Sequence, residues 1–184
     1  MKRNEKVTSA IDKIWKSYNK TTMWEGYETL LQEAEQGDAD AHCYLGRCHL
    51  GEEFVWVGAE FPVDEALASR MIKESVRLGS ADGVLCALRT GNLSPAIRNA
   101  MPFASLEEAF TAVIQQAQAG DAFSQYVVGN AMFYGDYLVI RGEEESRKYP
   151  SEEEYNAFAY PIAAKYYENS FDNGLAAAFG NYRT

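Results

Sequence analysis

Two histidine–cysteine pairs lie close together in this chain, and these residue types bind zinc. His42-Cys43 and Cys48-His49 place four potential ligands within eight residues. Zinc holds such ligand atoms at about 2.0–2.3 Å from one point. In a helix, however, His42 and His49 lie about 20° apart around the axis but about 10 Å apart along it. Because Cys43 and Cys48 fall on other faces, the spacing predicts packing residues and no metal site.

Other catalytic arrangements find little support in the sequence. The chain has 2 histidines, so a nucleophile–histidine pair has few ways to form. Neither a nucleophile-elbow motif nor a phosphate-binding loop occurs. Carboxylates are plentiful, with 27 Asp and Glu residues, but no pair is distinguished by its spacing. We therefore expect a protein that is not an enzyme and that holds no cofactor.

The histidine–cysteine segment belongs to an internal repeat. Residues 34–46 read AEQGDADAHCYLG and residues 117–129 read AQAGDAFSQYVVG, an offset of 83 residues. Residues 75–88, SVRLGSADGVLCAL, and residues 170–177, SFDNGLAA, repeat the pattern more weakly. The shared glycines, here called the junction glycines, are Gly37, Gly79, Gly120 and Gly174. A repeat of about 40 residues is typical of helical solenoids.

Each repeat contains two helical patterns with recognisable ends. Apolar residues recur at helical spacing in 65–78 and 106–119. Ser105 with Glu108 and Ser151 with Glu154 fit the capping box, and Asp64 fits an N-cap. The junction glycines lie where a helix ends in a residue of positive φ. We therefore predict an all-α fold of about three to four antiparallel helix pairs.

The segment GDADAHCYLG resembles the first helix of the Sel-one-like repeat family, a relative of the tetratricopeptide repeats. The closing helices LLQEAEQG, IKESVRLG and VIQQAQAG keep the family's spacing, whereas Leu88 replaces a tight-packing glycine. The resemblance implies a right-handed α/α superhelix, or solenoid. It also implies an interaction module or adaptor that binds a partner protein or peptide on its concave face.

The resemblance also implies where a partner would bind. In such repeats the first helix of each pair lines the concave surface, so equivalent positions form ladders along it. Three, six and ten residues after the junction glycines, these positions are Asp40, Asp82 and Phe123; Cys43, Leu85 and Tyr126; and Arg47, Arg89 and Asn130. The two arginines are expected to clamp a carboxylate or a peptide backbone. The aromatic loop Phe54-Val55-Trp56 with Phe61 is either a second candidate surface or a segment buried on the convex side.

The two ends of the chain differ from the repeat. Residues 7–18 carry apolar residues on one face, which predicts a capping helix within a segment 1–20, with a membrane-surface helix as the alternative. Residues 21–184 are the predicted repeat array, with an acidic insertion at about 136–157. Residues 175–184 begin another first helix with no partner helix after it. We expect either that the chain is a fragment of a longer repeat array or that this helix packs on something else, such as a second copy in a homodimer.

Charge and cysteine content limit the partners and the compartment. The formal net charge is −10, with +4 in residues 1–20 and −14 in the remainder. This argues against a phosphate-binding surface and favours a basic protein partner over nucleic acid. An alternative function is therefore an inhibitor or immunity protein that neutralises a toxin or another basic protein. Three cysteines without disulfide spacing and no signal peptide or membrane span indicate a cytoplasmic protein.

Overall fold

A computed structural model describes residues 3–51 and 54–182, without the side chains of residues 181 and 182. The regular elements within this part of the chain are helices, which confirms the all-α class. The right-handed superhelix remains a prediction. The chain forms two compact units, Met1–Ala104 and Ser105–Thr184, here called unit 1 and unit 2. The predicted boundary at residue 20 therefore lies inside unit 1.

The helices of both units are short, apart from α11. In unit 1 they are α1 Glu5–Trp15, α2 Lys20–Glu35, α3 Ala39–Cys48, a 3-10 turn at Val57–Ala59, α4 Glu65–Leu78, α5 Ala81–Arg89 and α6 Pro95–Ala100. In unit 2 they are α7 Leu106–Gln118, α8 Ala122–Phe133, α9 Asp136–Arg141, α10 Glu143–Ser146, α11 Glu152–Asp172 and α12 Ala178–Tyr182.

The junction glycines adopt the predicted backbone conformation. Gly37, Gly79, Gly120 and Gly174 have φ angles of 87°, 95°, 94° and 96°. After the first three, the polar residue that follows the glycine caps the next helix, as when Asp38 Oδ1 accepts from Ala41 N at 2.9 Å. Leu175 follows the fourth and offers no capping oxygen. This explains why α12 begins at Ala178, later than predicted.

The predicted N-caps of three further helices are confirmed. Ser105 Oγ accepts from Glu108 N at 3.1 Å, and Ser151 Oγ accepts from Glu154 N at 3.2 Å. Asp64 Oδ1 accepts from Leu67 N at 2.9 Å. Each oxygen satisfies one of the N–H groups that the start of a helix leaves without an internal partner. The helices α4, α7 and α11 therefore start where the sequence places them.

The α1 helix packs on α2 and ends earlier than predicted. Its apolar face is covered within unit 1, where Val7 and Ile14 are 0% and 1% exposed. The helix stops at Trp15, and Tyr18 lies beyond it with a φ of 52°. In the described part of the chain, none of the helices combines the length and the apolar character needed to cross a bilayer.

Two glycines nine residues after a junction glycine allow the paired helices to approach closely. A Cβ on Gly46 of α3 would lie 2.8 Å from Ile72 Cγ1 of α4. A Cβ on Gly129 of α8 would lie 2.6 Å from Tyr167 Cε1 of α11. Both distances are shorter than carbon–carbon contact, so only glycine fits. The same packing device therefore recurs in both units.

The core of unit 2 is built on the long helix α11. Met132, Tyr155, Ala159, Ala163, Tyr167 and Ala178 form one buried cluster. The C-terminal helix α12, predicted to lack a partner helix, packs on α11 through Ala178 and a Phe171–Phe179 contact of 5.3 Å between ring centroids. The predicted homodimer contact stays a prediction.

Candidate partner-binding site

The nine predicted partner-binding positions lie in two different environments. In unit 1 they belong to α3 and α5, and four of them are buried: Cys43, Arg47, Asp82 and Leu85. Asp40 and Arg89 are partly exposed. In unit 2, Phe123 is buried, while Tyr126 and Asn130 are partly exposed on α8. The five buried side chains face neighbouring helices rather than solvent, so the nine positions do not form one continuous exposed strip.

A buried arginine fills the space beside the unit 1 positions. Arg3 precedes α1, and its Nη2 lies 2.5 Å from Asp82 Oδ2 of α5 and 3.2 Å from Tyr44 Oη of α3. Its Nε lies 3.5 Å from Asp40 Oδ2. The guanidinium carbon lies 5.2 Å from the centroid of the Tyr44 ring. The positive charge is therefore held by two carboxylates and one aromatic ring.

The carboxylates of this cluster have their own supporting contacts. Ser80 Oγ donates to Asp40 Oδ1 at 2.5 Å, and Tyr44 Oη donates to Asp82 Oδ2 at 2.8 Å. The Asp82 side chain is 0% exposed and that of Asp40 is 18% exposed. Burial, with the nearby charge of Asp82, raises the pKa of Asp40 to about 6 against the opposing effect of Arg3.

Arg47, one of the two predicted clamp residues, points into unit 1. Its guanidinium carbon lies 5.9 Å from the Tyr44 ring centroid. The pKa of Cys86 is lowered to about 7, chiefly by a hydrogen bond from Cys43 and further by the charge of Arg47, against the effect of burial. Burial raises the pKa of Cys43. Arg47 thus acts electrostatically on the buried thiols of Cys43 and Cys86. A peptide cannot reach Arg47 unless the helices around it open.

The two histidines have separate structural roles. His49 Nδ1 lies 2.7 Å from the Pro62 carbonyl oxygen, and Nε2 lies 3.0 Å from Tyr27 Oη. A carbonyl only accepts, so Nδ1 carries the proton. His42 Nδ1 lies 2.9 Å from the Asp38 carbonyl oxygen. In residues 3–51 and 54–182, no group of three or more histidine, cysteine or acidic side chains is placed to hold a metal ion.

Most of the aromatic loop packs inside unit 1. Val55 and Phe61 are 7% and 8% exposed, and the Phe61 ring stacks on Tyr27 at 5.1 Å. Trp15 Nε1 donates to the Phe54 carbonyl at 2.7 Å, which fixes the loop to α1. Trp56 is 40% exposed. Of the two alternatives, burial therefore describes Val55 and Phe61, whereas the Trp56 ring is exposed.

Unit 2 has a different surface at the equivalent place. Tyr126, Asn130 and Phe133 share one side of α8 and are partly exposed. Phe133 stacks on Tyr160 of α11 at 5.0 Å, and Tyr134 meets the edge of Phe133 at 4.9 Å. Tyr134 and Tyr160 are 55% and 42% exposed. These five residues are here called the unit 2 aromatic face.

One glutamate of the acidic insertion is buried and hydrogen-bonded, and the others are exposed. Glu145 is 8% exposed and accepts hydrogen bonds from Lys148 Nζ at 2.6 Å and Tyr137 Oη at 3.1 Å. The Lys148 contact is the main cause of its lowered pKa. The other five glutamates of the insertion are exposed, namely Glu143, Glu144, Glu152, Glu153 and Glu154. Residues 105–184 hold 5 Lys and Arg against 12 Asp and Glu, a net charge of −7 that makes unit 2 the more acidic unit.

Sequence reasoning missed Arg3. The signal available was the pair of aspartates three residues after Gly37 and Gly79, in a chain whose first 20 residues carry a net charge of +4. Two carboxylates at equivalent repeat positions that are buried together are stabilised either by a cation between them or by a proton on one of them. The spacing does not show which of the six Lys and Arg residues of that segment supplies the cation.

Comparisons with known proteins find no significant match for the chain among family models, curated proteins or solved structures.

Proposed function

We propose that the protein is a non-catalytic interaction module whose unit 2 aromatic face binds a basic segment of a partner protein. The observation that carries the proposal is the contact of partly exposed Phe133 with exposed Tyr134 and Tyr160, in a unit of net charge −7. Tyrosine and other aromatic residues are enriched among the residues that contribute most to protein–protein affinity.

Aromatic rings and carboxylates together favour arginine over lysine. A guanidinium lies flat on the face of an aromatic ring, which contributes about 0.5–1 kcal/mol at an exposed site. The acidic charge of unit 2 attracts a basic segment from a distance and raises the association rate. We therefore infer an arginine-containing partner segment whose binding weakens with salt.

The repeat supports the same class of function. We propose that the chain is related to the Sel-one-like repeats, because Gly46 and Gly129 occupy the same repeat position and the same close contact. We also propose a cytoplasmic location, since Cys43, Cys48 and Cys86 are free thiols. Fold alone does not identify a partner.

A second candidate function is the inhibition of a basic protein. The observation that favours it is the net charge of −10, of which unit 2 carries −7. An inhibitor would form one tight complex that depends strongly on salt, whereas an adaptor would bind several basic segments with moderate affinity. The number of basic proteins bound, together with the affinity and salt dependence of each complex, therefore separates the two.

The test is fluorescence anisotropy with a dye-labelled nona-arginine peptide and its nona-lysine counterpart, using the full chain. We expect the arginine peptide to bind more tightly. The double variant Tyr134→Ser/Tyr160→Ser should weaken binding about tenfold, as expected for the loss of two aromatic contacts. Tyr18→Ser is the matched control, because Tyr18 is 46% exposed but lies in unit 1. Equal affinity of the double variant and the wild type would contradict the proposal.

A further inference from the structure

The surroundings of Arg3 are those of a binding pocket for a guanidinium group. Asp40 and Tyr44 of α3 and Asp82 of α5 contact the same side chain from two helices. These three residues are here called the unit 1 pocket. Two carboxylates and a ring face match the charge, the donors and the flat surface of a guanidinium. An ammonium group matches the charge and donates hydrogen bonds, but it has neither the forked donors nor the flat surface of a guanidinium.

The pocket is held in place by contacts that do not involve Arg3. Ser80 Oγ fixes Asp40 at 2.5 Å, and Tyr44 Oη fixes Asp82 at 2.8 Å. Tyr44 is 0% exposed and lies edge-on to Trp15 at 5.4 Å between ring centroids. The carboxylates therefore keep their positions whichever guanidinium lies between them.

Arg3 uses only part of what the pocket offers. Its Nη2 contacts Oδ2 of Asp82 at 2.5 Å. Oδ1 of the same carboxylate is buried and accepts no hydrogen bond from the described residues. A guanidinium placed in the plane of that carboxylate donates to both oxygens, and such a two-point contact is stronger. The pocket is thus suited to a better-aligned ligand than the one it holds.

Arg3 is also separable from the helix that follows it. Asn4 is the N-cap of α1, so Arg3 lies outside the helix and no helical hydrogen bond must break for its side chain to leave. The apolar face of α1, with Val7, Ile11 and Ile14 at most 3% exposed, holds the helix to unit 1 independently. Withdrawal of Arg3 opens the pocket while α1 stays in place.

We propose that the unit 1 pocket of Asp40, Tyr44 and Asp82 is a guanidinium-binding site that Arg3 occupies in the isolated chain and that an arginine side chain of another protein can enter when Arg3 withdraws. The inference is independent of the unit 2 aromatic face, since it uses other residues in the other unit. Arg3 then acts as an internal competitor that sets the affinity of this site.

The first test is chemical rescue of Arg3→Ala, followed by thermal unfolding. Millimolar methylguanidinium should raise the melting temperature of Arg3→Ala along a saturating curve, and methylammonium at equal ionic strength should not. The wild type and the double variant Arg3→Ala/Asp82→Asn should show no saturable rise. If Arg3→Ala does not fold in buffer alone, refolding with each cation gives the same comparison. An equal response to the two cations, or none, would overturn the site.

The second test measures entry of an external arginine. A dye-labelled Gly-Ser-Arg-Ser-Gly peptide is titrated into the wild type, Arg3→Ala and Arg3→Ala/Asp82→Asn by fluorescence anisotropy. We expect at least tenfold tighter binding to Arg3→Ala than to the wild type, lost again in the double variant. Adding Tyr134→Ser/Tyr160→Ser to Arg3→Ala should not change it, which separates this site from the proposed function. Rescue by methylguanidinium without peptide binding would show that an arginine side chain from outside does not enter.

Discussion

The helices α3 and α8 occupy the same place in the repeat, yet their side chains at the ladder positions lie in different environments. In α3 the three ladder positions are Asp40, Cys43 and Arg47; Cys43 and Arg47 are buried, and Asp40 is partly exposed and pairs with Arg3. In α8 they are Phe123, Tyr126 and Asn130, and two of the three remain partly exposed. The two helices thus share their place in the repeat, but α3 buries two of the three side chains and α8 buries only one.

The largest expected effect on stability comes from removing a carboxylate that pairs with Arg3 in unit 1. Asp82→Ala removes the closest carboxylate of Arg3 and leaves a buried guanidinium poorly paired, which costs about 3–5 kcal/mol of unfolding free energy. Asn130→Ala in unit 2 removes a neutral hydrogen bond from Tyr167 Oη at 2.9 Å and costs about 1 kcal/mol. Urea denaturation of both variants gives the two values. A similar cost for the two would mean that the Arg3 cluster contributes no special stability.

A smaller effect tests what the two units share. Gly46→Ala and Gly129→Ala each place a Cβ less than 3.0 Å from a side chain of the paired helix. Overpacking of this kind costs about 1–3 kcal/mol, partly offset by the better helix propensity of alanine. We expect both variants to lower the melting temperature. Gly180→Ala is the control, because its Cβ meets nothing within 4 Å. If alanine lowered the melting temperature at only one of the two glycines, the two helix pairs would not pack in the same way.

The smallest effect is a pH dependence confined to unit 1. The pKa of Asp40 is raised from 3.8 to about 6 by burial, so the folded chain binds this proton more tightly than the unfolded chain. The contribution of Asp40 to stability therefore decreases as the pH rises from about 4 to about 6. We expect about 1–2 kcal/mol, because Asp40 remains partly exposed and its protonation also weakens the Arg3 contact.

The measurement compares urea denaturation of the wild type and Asp40→Asn across this pH range. The difference between their unfolding free energies should change by that amount between pH 4 and pH 7. Asp136→Asn, which removes a carboxylate from unit 2, serves as the control for general acidic effects. A constant difference between wild type and Asp40→Asn would contradict the raised pKa.

The sequence specified the local structure better than the site. The bounds of α4, the caps at Asp64, Ser105 and Ser151, and the positive φ of the junction glycines follow from neighbouring residues alone. The Arg3–Asp82 contact joins residues 79 positions apart, and no local pattern encodes it. The burial of Cys43 and Leu85 likewise depends on how α5 packs against α3. The residue types at the repeat positions therefore predicted the helices but not which of their side chains are buried.

The tryptophans and the cysteines of this chain are divided unequally between the two units. Trp15, Trp24 and Trp56 all lie in unit 1, and so do the free thiols Cys43, Cys48 and Cys86, each at most 1% exposed. Tryptophan emission and thiol labelling therefore report the opening of unit 1 alone, while unit 2 contributes tyrosine signals. The natural chain thus carries its own spectroscopic labels, and a comparison of these signals with far-ultraviolet circular dichroism measures, without any added dye, whether the two units unfold together.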